Sequence, residues 1–227
     1  MRLSYMKLRI LMLLIGANKM KVKEIFYSIQ GEGLLQGLPT IFIRSSGCNL
    51  RCKYCDTAYS YEGGKEMTPG QIIKEIKRIK CNRICITGGE PLLQDDLPEL
   101  ISKLKGYELS METNGSLDVS KYKSRAMISL DIKCPCSGFA DKMYWKNLLV
   151  INKKDQVKFI VKDNKDINYA FKVIKKYKLA KKTNVIISPV WGADIKHIAL
   201  LILKSNLDIR LGIQLHKIIW GKNKKGV

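Results

Sequence analysis

The sequence lacks a membrane-spanning run, a linker and any internal repeat. An apolar run near its start, residues 10–17, is far too short to cross a bilayer. No tract rich in proline, serine and glycine divides the chain, and no low-complexity segment occurs. The length of 227 residues excludes a large multidomain machine, yet it suffices to bury a full core without disulfides. We therefore expect one globular domain.

The opening of the chain reads differently from the rest. Basic residues precede the apolar run, an arrangement that resembles a short secretory signal peptide. The residues from Met20 onward already have the pattern of a complete opening strand, so we favour a mis-annotated start. The prediction is an extension or mis-annotated start over 1–19 and a single domain over 20–227.

Acidic residues are scarce, because 20 Asp and Glu face 41 Lys and Arg, which leaves a formal net charge of +21. A field of this size attracts polyanions such as RNA. The basic residues are scattered along almost every segment, so direct nucleic-acid binding is not the expected function. An RNA-binding protein stays as an alternative, which a steep salt dependence of RNA affinity would support.

Cysteine occurs in an odd number, seven, and three of the seven fall within eight residues. This spacing is poor for disulfides and good for a metal, so we expect a reducing, cytoplasmic location. Cys48, Cys52 and Cys55 form the pattern C-x3-C-x2-C. A zinc-stabilised module usually has two C-x2-C pairs, and no clean second pair exists in the sequence. Zinc without iron and sulfide in the purified protein would support that alternative.

Three thiolates suit a 4Fe-4S cluster that takes part in chemistry. A cube of four irons with three protein ligands leaves one iron open to a small molecule, whereas a purely electron-transferring cluster normally has four thiolates. The other cysteines are Cys81, Cys85, Cys134 and Cys136. We expect these four to be core or loop thiols, with an auxiliary cluster as the alternative.

Short β-branched runs alternate with helical patterns, which is the order that a parallel α/β sheet requires. Thr68 followed by Pro69 predicts the start of a helix with an isoleucine face. Strands are expected at 40–44, 83–87, 108–112, 127–132, 156–161, 184–188 and 209–215, and helices from 69 and at 97–105, 141–150, 167–177 and 195–203. The fold is therefore a βα barrel or an open βα sheet, whose ligands lie at the carboxyl ends of the strands.

Two motifs resemble the radical S-adenosylmethionine (SAM) superfamily. Its signature is C-x3-C-x-aromatic-C, with Tyr54 as the aromatic residue, and Thr87 to Pro91 (TGGEP) is similar to its Gly-Gly-Glu-Pro turn. The resemblance implies a partial, TIM-like α/β barrel with parallel strands and outer helices. It also implies one 4Fe-4S cluster on the three cysteines, and SAM contacts at Tyr54, Cys55, Asp56, Gly88, Gly89, Glu90, Glu112, Ser129 and Lys133.

A narrower resemblance, over nearly the whole chain from Met20, is to the 7-carboxy-7-deazaguanine synthase family. It rests on FYSIQGEG, on FIRSSGCNLRCKYCDT, on QLHKIIWG as the last strand, and on GKNKKGV. The matching positions imply that Thr57 offers a hydroxyl to Mg²⁺, an ion that usually keeps few protein ligands. They also imply contacts to a bicyclic pterin from Ile29, Gln30, Gly31, Glu32, Arg44, Thr87 and His216.

The resemblance implies a lyase. The reduced cluster splits SAM into methionine and a 5'-deoxyadenosyl radical, which removes hydrogen from C6 of 6-carboxy-5,6,7,8-tetrahydropterin. Ring contraction and loss of ammonia give 7-carboxy-7-deazaguanine, a precursor of queuosine-type and archaeosine-type deazapurines. The expected partners are an external one-electron donor of flavodoxin or ferredoxin type and a second copy of the chain in a homodimer, with no membrane.

An activase that generates a glycyl radical on a partner protein is the alternative within the same superfamily. It would share the cysteine triplet and a small core. It would not need the loop around Gly31 or the segment 214–217, so it ranks second. The sequence also departs from the family pattern at Ser188, where a glutamine often precedes the proline.

Overall fold

A computed structural model describes residues 19–227 of the chain. The basic and apolar opening, 1–18, lies outside the described residues, so the prediction of an extension or mis-annotated start stays a prediction. No helix within the described range is long and apolar enough to cross a lipid bilayer.

The described residues form a nine-stranded sheet with the strand order β3-β1-β2-β4-β5-β6-β7-β8-β9. The strands are β1 (Met20–Ile29), β2 (Pro39–Ser45), β3 (Lys65–Met67), β4 (Arg83–Gly88), β5 (Glu108–Thr113), β6 (Met127–Ile132), β7 (Gln156–Val161), β8 (Asn184–Pro189) and β9 (Arg210–Leu211). The helices are α1 (Pro69–Ile76), α2 (Leu97–Lys103), α3 (Asn147–Val150), α4 (Asn164–Lys176), α5 (Leu179–Lys182), α6 (Ile195–Lys204) and α7 (Leu215–Trp220).

The sheet is parallel from β2 through β9, and the strand β1 pairs antiparallel with both β2 and β3. Because β3 and β9 are the two ends of the strand order, the sheet does not close on itself. The predicted partial TIM-like barrel is thus confirmed, with an antiparallel edge that the strand-helix alternation did not indicate. Parallel strands align their carboxyl ends along one rim, and this rim carries the site described below.

Local signals in the sequence explain where helices begin. At α1 the Thr68 hydroxyl accepts a hydrogen bond from Gln71 N (3.2 Å), while Gln71 Oε1 accepts one from Thr68 N (2.8 Å). This reciprocal capping box, with Pro69 at the first helical position, satisfies N–H groups that no helical turn can reach. Ile72 and Ile76 are then buried against the sheet, as the isoleucine face predicts.

Two predicted elements differ in the structure. The helix expected over 141–150 is divided into a 3-10 turn, Ala140–Lys142, and the short helix α3. The strand expected over 209–215 is only two residues long, and QLHKIIWG forms the helix α7 instead of a last strand. Its isoleucines are exposed on α7, so their β-branched character indicated a strand that packing does not support.

Strand β7 shows how the sheet divides its side chains between two faces. Val157, Phe159 and Val161 are buried toward the helices, while Gln156 and Lys158 alternate with them and point to the interior face. Polar side chains on the interior face of several strands therefore converge at the carboxyl rim.

Candidate active site

A cavity of about 470 Å³ opens at the carboxyl ends of the strands. It brings together side chains from β1, β2 and β4 to β7, from the cysteine loop and from α7. The predicted contact residues that line it are Ile29, Gln30, Gly31, Glu32, Arg44, Cys48, Cys52, Tyr54, Cys55, Asp56, Thr57, Thr87, Gly88, Gly89, Glu112, Lys133 and His216. Only Glu90 and Ser129 of the predicted set are absent from the wall that the described residues form.

The loop after β2 presents three unbridged thiols to this cavity. Cys48, Cys52 and Cys55 are half-buried, and Cys55 N donates to Cys52 O (3.2 Å) to close a tight turn. The Cys48 sulfur accepts from Leu50 N (3.4 Å) and Asn114 Nδ2 (3.7 Å). Three soft thiolates on one wall of an open cavity fit a 4Fe-4S cluster with one free iron.

The turn that follows β4 packs directly on the cysteine loop. Gly89 N donates to Ser45 O (3.2 Å), and Glu90 N donates to Gly47 O (2.8 Å). A Cβ on Gly89 would overlap the carbonyl of Gly47, and Gly88 has φ +146°. Both positions require glycine, and their backbone forms part of the cavity wall.

Glu90 turns away from the cavity, which departs from the predicted contact with an ammonium group. Its side chain is fully buried and accepts from Asn114 N (2.7 Å), the Thr113 hydroxyl (2.8 Å) and Leu92 N (3.1 Å). Burial raises its pKa to about 7, and the three hydrogen bonds offset only part of that effect. Glu90 therefore holds the glycine turn against the end of β5.

Ser129 lies under the cavity. Its hydroxyl accepts from Gln156 Nε2 (2.7 Å), and Gln156 Oε1 accepts from Leu34 N (2.7 Å) in the loop after β1. Ser129 therefore supports the loop that carries Glu32, and its predicted contact with SAM is not made from the cavity wall.

Glu112 lies on the cavity wall. Its carboxylate accepts from the Thr87 hydroxyl (2.9 Å) and from Gln30 Nε2 (3.2 Å), both predicted pterin contacts. Arg44 lies on the same wall, where its Nε is 2.7 Å from Glu24 Oε1. The Tyr59 hydroxyl donates to the same oxygen of Glu24 (2.7 Å), so Glu24 orients the guanidinium.

Lys158 lies on the cavity wall and was not among the predicted contacts. Its Nζ is 2.6 Å from Glu32 Oε2 and 3.4 Å from Asp131 Oδ1, and Asp131 Oδ2 is 3.1 Å from Lys133 Nζ. Burial alone would lower the pKa of Lys158, but Asp131 and Glu32 raise it well above its usual range. A lysine within a strand whose next three residues are apolar was the available sequence signal.

Helix α7 closes the cavity from the far end of the chain. Lys217 Nζ is 2.7 Å from Asp56 Oδ2 and donates to Gln214 Oε1 (2.8 Å), while Gln214 Nε2 donates to Glu32 Oε1 (2.9 Å). Leu215 N donates to Gly31 O (2.9 Å). His216 therefore reaches the cavity from a helix and not from the predicted strand end.

Close packing joins α7 to the loop after β1. A Cβ on Gly31 would overlap the imidazole of His216. Glu32, Asp56 and His216 offer ligand atoms within 4.8 Å of one another, but Lys158 and Lys217 already pair with the two carboxylates. The ammonium groups of Lys158 and Lys217 thus already neutralise the carboxylates in this part of the cavity.

The remaining four cysteines do not line the cavity that the described residues form. Cys85 and Cys134 are buried, while Cys81 and Cys136 are half-buried against the core. Burial raises the pKa of Cys134, as expected for an inert core thiol.

Comparison with known proteins agrees with this geometry. Residues 42–136 match the model of the radical SAM superfamily. A 7-carboxy-7-deazaguanine synthase from Methanospirillum hungatei is 45% identical over 207 residues, covering 89% of this chain and 86% of the relative. One from Clostridium acetobutylicum is 41% identical over 218 residues, covering 91% and 99%.

A solved structure has the same fold. The crystal structure of QueE from Escherichia coli aligns with a TM-score of 0.72 over 87% of this chain and 95% of that chain, at 24% identity. The three thiols, the glycine turn and the coverage of these relatives lead to one assignment: the chain belongs to the 7-carboxy-7-deazaguanine synthase family of radical SAM enzymes.

Proposed function

We propose that this enzyme converts 6-carboxy-5,6,7,8-tetrahydropterin to 7-carboxy-7-deazaguanine with loss of ammonia. The observation that carries the proposal is a single cavity lined by the cysteine triplet at one end and by the loop of Gln30 and Glu32 at the other. An activase would have no need for the second end. When bound, the cluster and SAM supply the 5'-deoxyadenosyl radical that starts the reaction at C6 of the pterin.

The cluster end of the cavity holds the cofactors. Cys48, Cys52 and Cys55 bind the 4Fe-4S cluster, and the backbone of the glycine turn approaches SAM closely. Lys133 binds the carboxylate of SAM, because Asp131 and Cys52 keep its buried ammonium charged and raise its pKa even though burial opposes this. Tyr54 completes this end beside the third cysteine, and Asp56, whose carboxylate pairs with Lys217, lies between it and the opposite end.

The opposite end holds the pterin. The side chains of Glu32 and Gln30 form hydrogen bonds with the amide and amino edge of the pterin. His216 lies across the cavity from them. Arg44 binds the substrate carboxylate, because Glu24 engages Nε and leaves the two terminal nitrogens of the guanidinium for a second anion. Thr57 supplies a hydroxyl to Mg²⁺, a hard cation that this carboxylate and water would also coordinate.

We propose an external one-electron donor that is acidic. Arg51 and Lys53 flank Cys52, both are exposed, and neither forms an ion pair with the described residues. The Arg51 guanidinium lies 4.3 Å from the centre of the Tyr61 ring and donates to Cys48 O (2.7 Å), which fixes it beside the cluster loop. A homodimer and a cytoplasmic location are further proposals, supported by the frequency of symmetric dimers and by seven unbridged cysteines.

The test is an anaerobic incubation of reconstituted protein with dithionite, SAM, Mg²⁺ and the pterin, followed by mass spectrometry. We expect the deazaguanine acid and 5'-deoxyadenosine from the wild type, and neither from Cys52→Ala. Cys81→Ala, which removes a thiol distant from the triplet, is the matched control and should retain both products. Deoxyadenosine without the acid would favour the activase, and neither product from iron-loaded protein would overturn the proposal.

The donor surface is tested by the same reaction with two reductants. Lys53→Glu should slow turnover driven by reduced flavodoxin and leave turnover driven by dithionite unchanged. Lys175→Glu makes the same charge change on α4 and is the control. Equal effects of the two substitutions with flavodoxin would contradict a surface at the cluster loop.

A further inference from the structure

We propose that Lys158 is a positioning residue for the pterin: its buried ammonium fixes the Glu32 carboxylate and keeps it anionic, ready to accept hydrogen bonds from the substrate. The inference rests on the proposed function, in which Glu32 binds the pterin. It assigns a role to a side chain that the cysteine motif and the glycine turn do not explain.

The geometry holds the two groups firmly together. Lys158 lies on the interior face of β7, and its side chain is 7% exposed, against 15% for Glu32. Its Nζ is 2.6 Å from Glu32 Oε2, and Asp131 Oδ1 is its second acidic neighbour at 3.4 Å. A short bond from a buried ammonium to a buried carboxylate is charge-assisted and directional, so it defines the position of Glu32.

The carboxylate of Glu32 is held at both oxygens. Oε2 accepts from Lys158, and Oε1 accepts from Gln214 Nε2 at 2.9 Å. Each carboxylate oxygen has more than one acceptor site, so both can also accept from a donor edge in the cavity. Lys158 and Gln214 therefore fix the orientation of the group and leave its remaining acceptor sites to a ligand.

Electrostatics decides the protonation state of this pair. Burial is the largest single effect and raises the pKa of Glu32, as does the nearby carboxylate of Asp56. The charge and hydrogen bond of Lys158, with the hydrogen bond of Gln214, together outweigh these effects, and the pKa is lowered. Gln214 also favours the charged form, and His216 and Lys217 are the other titratable groups at this end of the cavity. Without Lys158 the effect of burial would raise the pKa of Glu32 and favour its protonated form.

The same interactions exclude a proton-transfer role for Lys158. Asp131, Glu32 and Glu112 all favour its ammonium form, which raises its pKa well above the usual range. A group that retains its proton so strongly is neither a base nor an efficient acid at neutral pH. Its contribution is therefore a fixed charge in a fixed place.

The test compares Lys158→Met, which keeps the length and removes the charge, with Lys158→Arg, which restores a cation. Pterin KM and kcat are measured from pH 6 to 9 on reconstituted enzyme, together with the affinity for SAM. Lys158→Met should raise the pterin KM about 30-fold or more, the loss typical of truncating one partner of a buried charged pair, with a smaller effect on kcat. Lys158→Arg should recover most of the affinity.

The pH profile separates positioning from a structural role. In Lys158→Met the pterin affinity should rise with pH as Glu32 loses its proton, whereas the wild type should show no such rise over this range. Any change in the affinity for SAM should be much smaller than the change in pterin KM, because Asp131 keeps Lys133 as its partner when Lys158 is replaced. An unchanged pterin KM in Lys158→Met, or a loss with the same pH profile as the wild type, would overturn the proposal.

A double-mutant cycle keeps the test informative if Lys158→Met folds poorly. Glu32→Gln alone should weaken pterin binding, and adding Lys158→Met to it should weaken binding little further, because the group to be positioned is already neutral. Independent, additive losses would contradict the proposal. A wild type that forms no deazaguanine acid would instead overturn the proposed function, and this one with it.

Discussion

Two glutamates, one buried behind the glycine turn and one on the opposite wall of the cavity, behave in opposite ways. Glu90, behind the glycine turn, is satisfied by two backbone N–H groups and a hydroxyl, and its pKa is raised to about 7. Glu32, in the loop after β1, has the ammonium of Lys158 at 2.6 Å, and its pKa is lowered. Glu90 is fully buried and the Glu32 side chain is 15% exposed on the cavity wall, yet it is Glu32 that has a cation as its direct partner.

The comparison shows what each kind of partner achieves. Hydrogen bonds from neutral donors satisfy the geometry of a buried carboxylate but do not offset the full penalty of burying its charge. A buried ammonium, together with the amide of Gln214, does offset it at Glu32. The region near Glu90 is therefore structural and tolerates a proton, while the region near Glu32 keeps a charge available to a ligand.

The largest expected effect on stability comes from removing the Lys158 ammonium, the cation beside Glu32. Lys158→Met leaves Glu32 and Asp131 without their shared partner, so the free energy of unfolding should fall by about 3–5 kcal/mol at pH 7. Urea unfolding measures this, with Lys158→Arg as the control that keeps a cation. A loss below about 1 kcal/mol would mean that water already solvates the pair.

The next largest effect is a pH dependence of stability that we expect from Glu90. Glu90 binds its proton more tightly in the folded chain, with a pKa of about 7, than at its ordinary value of 4.5. Its contribution to stability is therefore complete below pH 4.5 and is lost as the pH rises to about 7. At 1.36 kcal/mol for each pKa unit, the loss across this window is roughly 3 kcal/mol.

Glu90→Gln removes the titrating group and nearly preserves its shape. We expect the difference in unfolding free energy between the variant and the wild type to grow in favour of the variant from pH 5 to 7 and to level off above. Urea titrations at several pH values give this difference. Parallel curves for the two proteins would show that Glu90 does not titrate in that range.

A smaller effect is expected at α7. Lys217 is buried, but its partner Asp56 is 41% exposed, so solvent screens the pair. Lys217→Met should destabilise the helix by about 1 kcal/mol and leave the sheet intact. Amide hydrogen exchange should become faster in α7 alone. Lys222→Met, in the exposed tail, is the control, and equal exchange rates in both variants would contradict the expectation.

The smallest effect on stability is expected at an ion pair that is exposed to solvent. Arg78 and Glu75 form an ion pair of 2.8 Å with side chains that are 64% and 43% exposed. Arg78→Gln should change the free energy of unfolding by less than about 0.5 kcal/mol. A change as large as that of Lys217→Met would show that exposure is a poor guide to ion-pair strength in this protein.

The cysteine loop, the glycine turn and most strands could be predicted from the sequence because their signals are local. The spacing of Cys48, Cys52 and Cys55 and the pair Gly88-Gly89 each lie within a few residues. The strands β6 and β7 match the predicted bounds, since β-branched runs with flanking turns define them. Local chemistry was enough where neighbours along the chain are also neighbours in space.

The parts that were missed depend on distant partners. A lysine in β7 has no local feature that reveals Glu32, which lies 126 residues earlier. The helix α7 was predicted as a strand because its isoleucines are β-branched, and only its packing on the loop of Gly31 determines its conformation. Glu90 was predicted as a SAM contact from its turn alone, and that turn gives no sign of the hydrogen bonds that Glu90 accepts from the end of β5.

The contact between α7 and the loop after β1 has a consequence for the order of folding. Gln214 meets Glu32 across 182 residues of sequence, whereas the cysteine loop and the glycine turn lie within one short stretch of the chain. Contacts of such long separation form late. A growing chain on the ribosome would therefore display its three thiols well before the pterin end of the cavity exists, so cluster insertion has a time window in which the site is still open.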